Sequence, residues 1–101
     1  MEKRRPTYDL QAIKGALGAP DTLAMTTTAL RDALALGFDR AGVVATVVGI
    51  DRDMFFKSMT THADHRIRQD VYHVPARGLM LYVKFQADVV TAFTVMSFKE
   101  K

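Results

Sequence analysis

The sequence contains no cysteine and no tryptophan. The missing thiols remove disulfides, thiolate nucleophiles and cysteine-ligated zinc together, so neither a cross-linked secreted scaffold nor a zinc finger is open to this chain. Long apolar runs are absent too. The greasiest stretch, Ala41 to Ile50, falls far short of the roughly 18–20 residues that cross a bilayer, which excludes a transmembrane helix and leaves no membrane role. The start Met-Glu-Lys-Arg-Arg-Pro carries no apolar stretch with a small-residue cleavage site, so no secretory signal is expected and a cytoplasmic location is. Gly-rich phosphate loops, a Ser/His/Asp order and a carboxylate pair beside the basic stretch are all lacking. These absences exclude P-loop, triad and two-carboxylate chemistry.

What is present suits a globular domain. At 101 residues, with 49% hydrophobic and 25% charged side chains, the chain is expected to form a single domain over residues 1–101. The net charge of +3 is too mild to name a polyanionic partner, but its distribution says more. Between Lys57 and Lys84 stand Lys57, Arg66, Arg68, Arg77 and Lys84 against only Asp64 and Asp70, with His62, His65 and His73 among them. On charge alone a solvated mixed-charge surface is favoured for that stretch over a ligand site.

The first half reads as helices. Thr7 is a candidate cap for a helix carrying Leu10, Ile13 and Leu17, ended by Gly18 and Pro20. A second helix follows Thr26-Thr27-Thr28, buries Leu30, Ala33 and Leu34, and stops at Gly37. From Arg40 to Gly49 the valines favour a strand, whereas Asp39 as cap, Val43/Val47 spacing and Gly49 as terminator favour a helix; we read a helix. Asp51 caps a short turn through Met54 and Phe55.

The second half alternates as strands do. Leu79, Leu81, Val83 and Phe85 interleave with Met80, Tyr82 and Lys84, and a second alternating run extends from Val89 to Lys99. A two-residue turn at Ala87-Asp88 predicts that residue 86 pairs with 89 and Tyr82 with Phe93, placing Tyr82, Lys84 and Lys99 on one face. Lys57 to Thr61 and Gln69 to Val74 add strands, with 60–68 looping between. Helices first and an antiparallel sheet after them make an α+β domain.

A polar sheet face carrying Lys57, Gln69, Tyr82, Lys84 and Lys99 suits cleavage of RNA by its own 2′-hydroxyl. The substrate supplies the nucleophile, so the protein needs only a proton acceptor, cations for the phosphorane and a proton donor. Crowded lysines depress one another's pKa, which leaves one available as a base while others hold the phosphate. Phe56 and Tyr82 offer surfaces on which a base can stack. From pattern alone an ordinary sheet with Lys and Tyr facing water is the favoured reading. His62-x-x-His65 with Asp64, Asp70 and His73 has generic spacing in basic surroundings, so loop or sheet histidines are favoured over a metal site. Met54, Phe55, Phe56 and Met59 read as core before they read as a pocket.

One family shares these residues. Met1-Glu2-Lys3-Arg4, Phe56-Lys57-Ser58-Met59-Thr60-Thr61, Asp64-His65, Gln69-Asp70-Val71-Tyr72, Tyr82-Val83-Lys84 and Ser97-Phe98-Lys99-Glu100-Lys101 resemble, in order and spacing, the MqsR or motility quorum-sensing regulator family of type II toxins. The resemblance spans nearly the whole chain. It implies a RelE-like fold and an mRNA endonuclease that prefers GCU-type sites and arrests translation without a cofactor. It also implies a cognate zinc-containing helix-turn-helix antitoxin, with operator DNA reached only through that complex; the zinc belongs to the partner. The family's active-site residues fall on Lys57, Gln69, Tyr82 and Lys99. Beside these four, Lys84 and Phe56 from the polar-face chemistry and Met59, next in sequence to the site but equally placed for the core, are candidate substrate contacts, and Arg68, beside Gln69, bears on sequence preference. The chain departs from the family pattern at Arg68 and in a segment from His73 to Gly78 read as a loop. A non-catalytic nucleic-acid-binding regulator and a protein-docking module are the alternatives from other functional classes.

Overall fold

Side-chain caps set the helices. The computed structural model describes residues 2–87 and 93–101. Helix α1 (Leu10–Leu17) starts at Asp9, whose carboxylate accepts from the Gln11 N–H, and not at Thr7. The Thr7 hydroxyl is engaged elsewhere, 2.7 Å from Ser58 Oγ, so it is unavailable as a cap. Helix α2 (Thr27–Ala35) is capped by Thr26 and followed by Gly37 at φ 88°, the left-handed conformation in which glycine carries no Cβ penalty. Its buried side is Ala29 and Ala33, while Leu34, expected inside, is exposed. The small alanines bring α2 close to the sheet and turn Leu34 away. Helix α3 (Arg40–Val48) begins where Asp39 accepts from Gly42 N–H at 2.7 Å and buries Val43 and Val47, which settles the Arg40–Gly49 ambiguity for a helix. A single 3-10 turn, Arg52–Met54, leads into the sheet.

Strands β1 (Phe55–Thr60), β2 (Arg68–Ala76), β3 (Leu79–Ala87) and β4 (Phe93–Glu100) form one antiparallel meander in the order β1-β2-β3-β4. The α+β reading holds: three helices precede the sheet and cover one of its faces. Ile13, Leu17, Ala33, Phe38, Val43 and Val47 pack there against Tyr72, Val74, Leu81, Val83, Phe85, Val95 and Phe98. Both sheet edges are occupied. Lys3 bridges Ser58 on the β1 side, and Val95 exchanges hydrogen bonds with Ala24 and Thr26 on the β4 side, which blunts edge-to-edge aggregation.

Three sequence expectations change here. Tyr82 pairs with Lys99, not Phe93, and Gln86 pairs with Thr94, so the β3–β4 connection is longer than two residues; its residues 88–92 lie outside the described ones. The segment read as a loop from His73 to Gly78 is strand up to Ala76, and only Arg77 and Gly78 turn, at φ 53° and 77°. Two successive positive φ values are those of the hairpin turn that suits strand twist. Proline lacks the N–H that a central strand needs, but Pro75 lies beyond Tyr72, where β2 has no β1 partner, so it is tolerated as an edge residue. Finally, strict alternation fails twice. Phe56 and Met96 are extra residues, bulged out of β1 and β4.

Those bulges position the site. Phe55 and Lys57 are two apart and would share a face in a regular strand, yet Phe55 packs against Tyr72 in the core while Lys57 pairs with Val71 on the other side. Likewise Val95 and Phe98, three apart, are both fully buried, and Lys99 returns to the open side opposite Tyr82.

Candidate active site

Cross-strand neighbours share a face, so the ladders assign the surface opposite the helices. One row runs Met59, Gln69, Gln86 and Thr94; the next Lys57, Val71, Lys84 and Ser97; the third His73, Tyr82 and Lys99. Lys57, Gln69, Tyr82 and Lys99 therefore stand together, with Met59 and Lys84 among them. Phe56, 48% exposed, lies on the same side, its ring stacked on His73 with centroids 4.1 Å apart. Arg68 is not brought together with these residues. It is one position from Gln69, and on a strand that turns its side chain to the helix side, where its Nε lies 3.3 Å from Ser58 Oγ.

Val71 explains the face's electrostatics. It is fully buried yet belongs to the open face, in register between Lys57 and Lys84. Lys84 thus rests on an apolar floor. Its pKa is held below the usual lysine value, first by burial and then by the charges of Lys99 and Lys57. His73 is pushed down as well, by burial and by Lys101 and Lys57. Lys99 Nζ sits 5.4 Å from the Tyr82 ring centroid, a cation–π distance. Gln69 is nearly buried and donates from Nε2 to Gln86 Oε1 at 2.8 Å, which fixes its amide plane. Lys57 Nζ is held 2.6 Å from Glu2 Oε2, and the same pairing draws the Glu2 carboxyl below its ordinary pKa.

Glu2 and His73 are the site residues that sequence reasoning missed. Counting by twos from Gln69 through Val71 reaches His73 and would have found it; nothing local signals that Glu2 reaches Lys57. The other two histidines, His62 and His65, are in the loop of residues 61–67, and among the described residues no three His, Asp or Glu side chains are grouped as metal ligands. Asp64 is tied to Arg66, and Asp70 accepts from the Thr7 and Tyr8 N–H groups.

Clefts flank the face. Two of ≈ 300 Å³ open beside Glu2, one against Lys3, Arg4, Phe56 and Lys57, the other against Met59, Thr60, His62 and His65. A larger groove of ≈ 490 Å³ lies between Arg5, Tyr8, Lys14, Arg52 and Tyr72, where Asp9 and Asp51 offset the cations. The open face, by contrast, gathers Lys57, Lys84 and Lys99 with one carboxylate, Glu2, at its edge. Closely set ammonium groups, a phenol and a fixed amide on a half-buried apolar floor can hold a phosphodiester and move protons around it.

Two comparisons with known proteins show the family. A family model described as "Motility quorum-sensing regulator, toxin of MqsA" matches residues 5–100. The "mRNA interferase toxin MqsR" of Escherichia coli (strain K12) is 38% identical over 101 residues, covering all of both chains. On both grounds the chain belongs to the motility quorum-sensing regulator family of toxins.

Proposed function

We propose that this toxin is an mRNA interferase, an endoribonuclease that cleaves messages at GCU-type sites and so arrests translation. The observation carrying this reading is the convergence of Lys57, Gln69, Tyr82, Lys84 and Lys99, from four strands, on one open face. The 2′-hydroxyl of the nucleotide 5′ of the cut attacks the adjacent phosphorus. Lys57 and Lys99 flank the phosphorane and stabilise its charge, and Lys84 adds a third cation from the centre. Tyr82 gives a proton to the departing 5′-oxygen while Lys99 beside it balances the charge left on the phenol. Gln69, its amide fixed by Gln86, reads a base edge or phosphate oxygen, and Phe56 and Met59 give bases an apolar surface.

Because the nucleophile comes from the RNA and the positive charge from lysines, the mechanism is metal-independent. The toxin works in the cytoplasm and is held inactive by a zinc-containing helix-turn-helix antitoxin, through which alone it meets operator DNA. Purified toxin incubated with a defined RNA tests the reaction. Cleavage should persist in chelator, stop when the attacking nucleotide is 2′-deoxy, and fail in Lys57→Ala, Tyr82→Ala and Lys99→Ala proteins that remain folded. Cutting of the 2′-deoxy substrate, or full activity in all three variants, would refute the mechanism.

A further inference from the structure

We propose that His73 is the group that takes the proton from the attacking 2′-hydroxyl. This deepens the RNA-cleavage reading and rests on it. The argument begins with place. His73 is the cross-strand partner of Tyr82, which in turn is the partner of Lys99, so the imidazole belongs to the same row as two residues of the site. Its centroid is 6.2 Å from that of Tyr82.

Orientation comes next. One face of the imidazole is covered by Phe56, the bulged residue of β1, at a centroid distance of 4.1 Å and an interplanar angle of 24°. A stacked base would meet Phe56 there, so on that side of the ring the approach left open to His73 is along its edge, which carries the nitrogens. Among the described residues no hydrogen bond occupies either nitrogen. A ring clamped by stacking with its nitrogens uncommitted is preorganised for proton transfer, whereas a purely structural histidine usually spends one nitrogen on a fixed partner.

Charge supports the same role. The groups facing His73 are Lys57 from β1, Tyr82 and Lys84 from β3, and Lys99 and Lys101 at the end of the chain, with Glu2 neutralising part of Lys57. Burial first, then Lys101 and Lys57, hold the His73 pKa below the ordinary imidazole value, which favours the neutral form that accepts a proton. A bound phosphodiester adds negative charge and brings its pKa back up toward neutrality, where a general base works best.

The step balances. The bond from the 2′-oxygen to phosphorus forms as its proton passes to a His73 nitrogen, and the bond from phosphorus to the 5′-oxygen breaks as Tyr82 gives up its phenolic proton. Transfer of the proton from imidazolium to phenolate, across the strand pair or through water, restores both. The products are a 2′,3′-cyclic phosphate and a 5′-hydroxyl.

The test compares wild-type toxin with His73→Gln, which keeps a polar side chain, and His73→Phe, which keeps the stack on Phe56. Single-turnover cleavage of a defined RNA is followed across about pH 5–9, together with binding of the same RNA made uncleavable by a 2′-deoxy nucleotide. Wild type should show an acid limb in kcat/KM below about pH 6.5, the ordinary imidazole value. Both variants should lose that limb and fall about 10²–10⁴-fold in rate near pH 7, with binding unchanged. Variants that keep the wild-type rate and limb would overturn the assignment, as would rate losses matched by lost binding. Wild-type toxin that leaves RNA intact would instead refute the cleavage reading, so the two failures are distinct.

Discussion

Tyr82 and Lys99 face each other directly across β3 and β4, the ammonium 5.4 Å from the ring centroid. That pairing depends on the Met96 bulge, because without an extra residue Val95, Phe98 and Lys99 could not occupy the faces they do. Tyr82→Phe removes only the transferable proton and should cut the cleavage rate by about 10²–10⁴-fold while leaving the melting temperature and RNA binding unchanged. Single-turnover kinetics beside a thermal melt checks this. A rate within experimental error of wild type would leave Tyr82 a stacking role alone.

Lys57, Lys84 and Lys99 are expected to share phosphate contacts. Counterion release from single strands contributes about 0.7 per phosphate contact, so three contacts give a slope of about −2 in log K against log salt. Lys99→Ala should lower the steepness by about 0.7, measured with the 2′-deoxy RNA. An unchanged slope would place Lys99 away from the RNA backbone.

Glu2 competes with the phosphate for Lys57. Its carboxylate is solvent-exposed, so the pair is screened and its effect modest. Glu2→Gln should tighten RNA binding about two- to fivefold without altering the cleavage position. Weaker binding by this variant would mean that Glu2 orients Lys57 and does not restrain it.

Asp70 and Tyr72 test the opposite side of the sheet. The buried Asp70 carboxylate accepts from the N–H groups of Thr7 and Tyr8, at 3.1 and 2.8 Å, and pins the N-terminal segment to β2. Asp70→Ala strands both donors and should destabilise the fold by about 2–3 kcal/mol. Tyr72 is the contrary case: its buried hydroxyl has no partner among the described residues, and burial, with Asp70 nearby, pushes its pKa up to about 12. Tyr72→Phe should be neutral or stabilising by up to about 1 kcal/mol. Chemical denaturation of both variants decides, and a strongly destabilised Tyr72→Phe would reveal a bonded hydroxyl.

Protons should also be taken up when RNA binds. In the free toxin Lys84 and His73 titrate below their ordinary values, partly because other cations surround them, and a phosphodiester reverses that repulsion. Folding runs the opposite way: between the lowered His73 pKa and the unfolded value near 6.5 the unfolded chain binds more protons, so stability rises with pH through that window. RNA binding, which takes protons up, should instead strengthen as pH falls through it. Calorimetry near pH 6 in buffers of different ionisation enthalpy measures the uptake, and proton release would contradict the account.

Much of this was readable before any coordinates, for physical reasons that differ by element. Asp39, Thr26 and Gly49 act locally, within one turn of the helix they bound, so their roles follow from spacing. Thr7 had an equally good local claim to a cap and lost it to Ser58 and Asp70, partners far along the chain. The polar face was found from alternation in β3, but the Tyr82–Phe93 register was wrong because it assumed a two-residue turn. Lys99 stayed on the predicted face only because an even shift in register left its parity alone. Bulges at Phe56 and Met96 have no local signature; they arise because Phe55 and Val95 must enter the core while Lys57 and Lys99 leave it. Arg68 illustrates the converse, since adjacency to Gln69 in sequence sends it to the other side of the sheet.

The most direct test of the central claim is the chemistry of the RNA ends left by the purified toxin on a defined message. Attack by the 2′-hydroxyl predicts 2′,3′-cyclic phosphate and 5′-hydroxyl termini at every cut. Termini bearing a 3′-hydroxyl and a 5′-phosphate would contradict it.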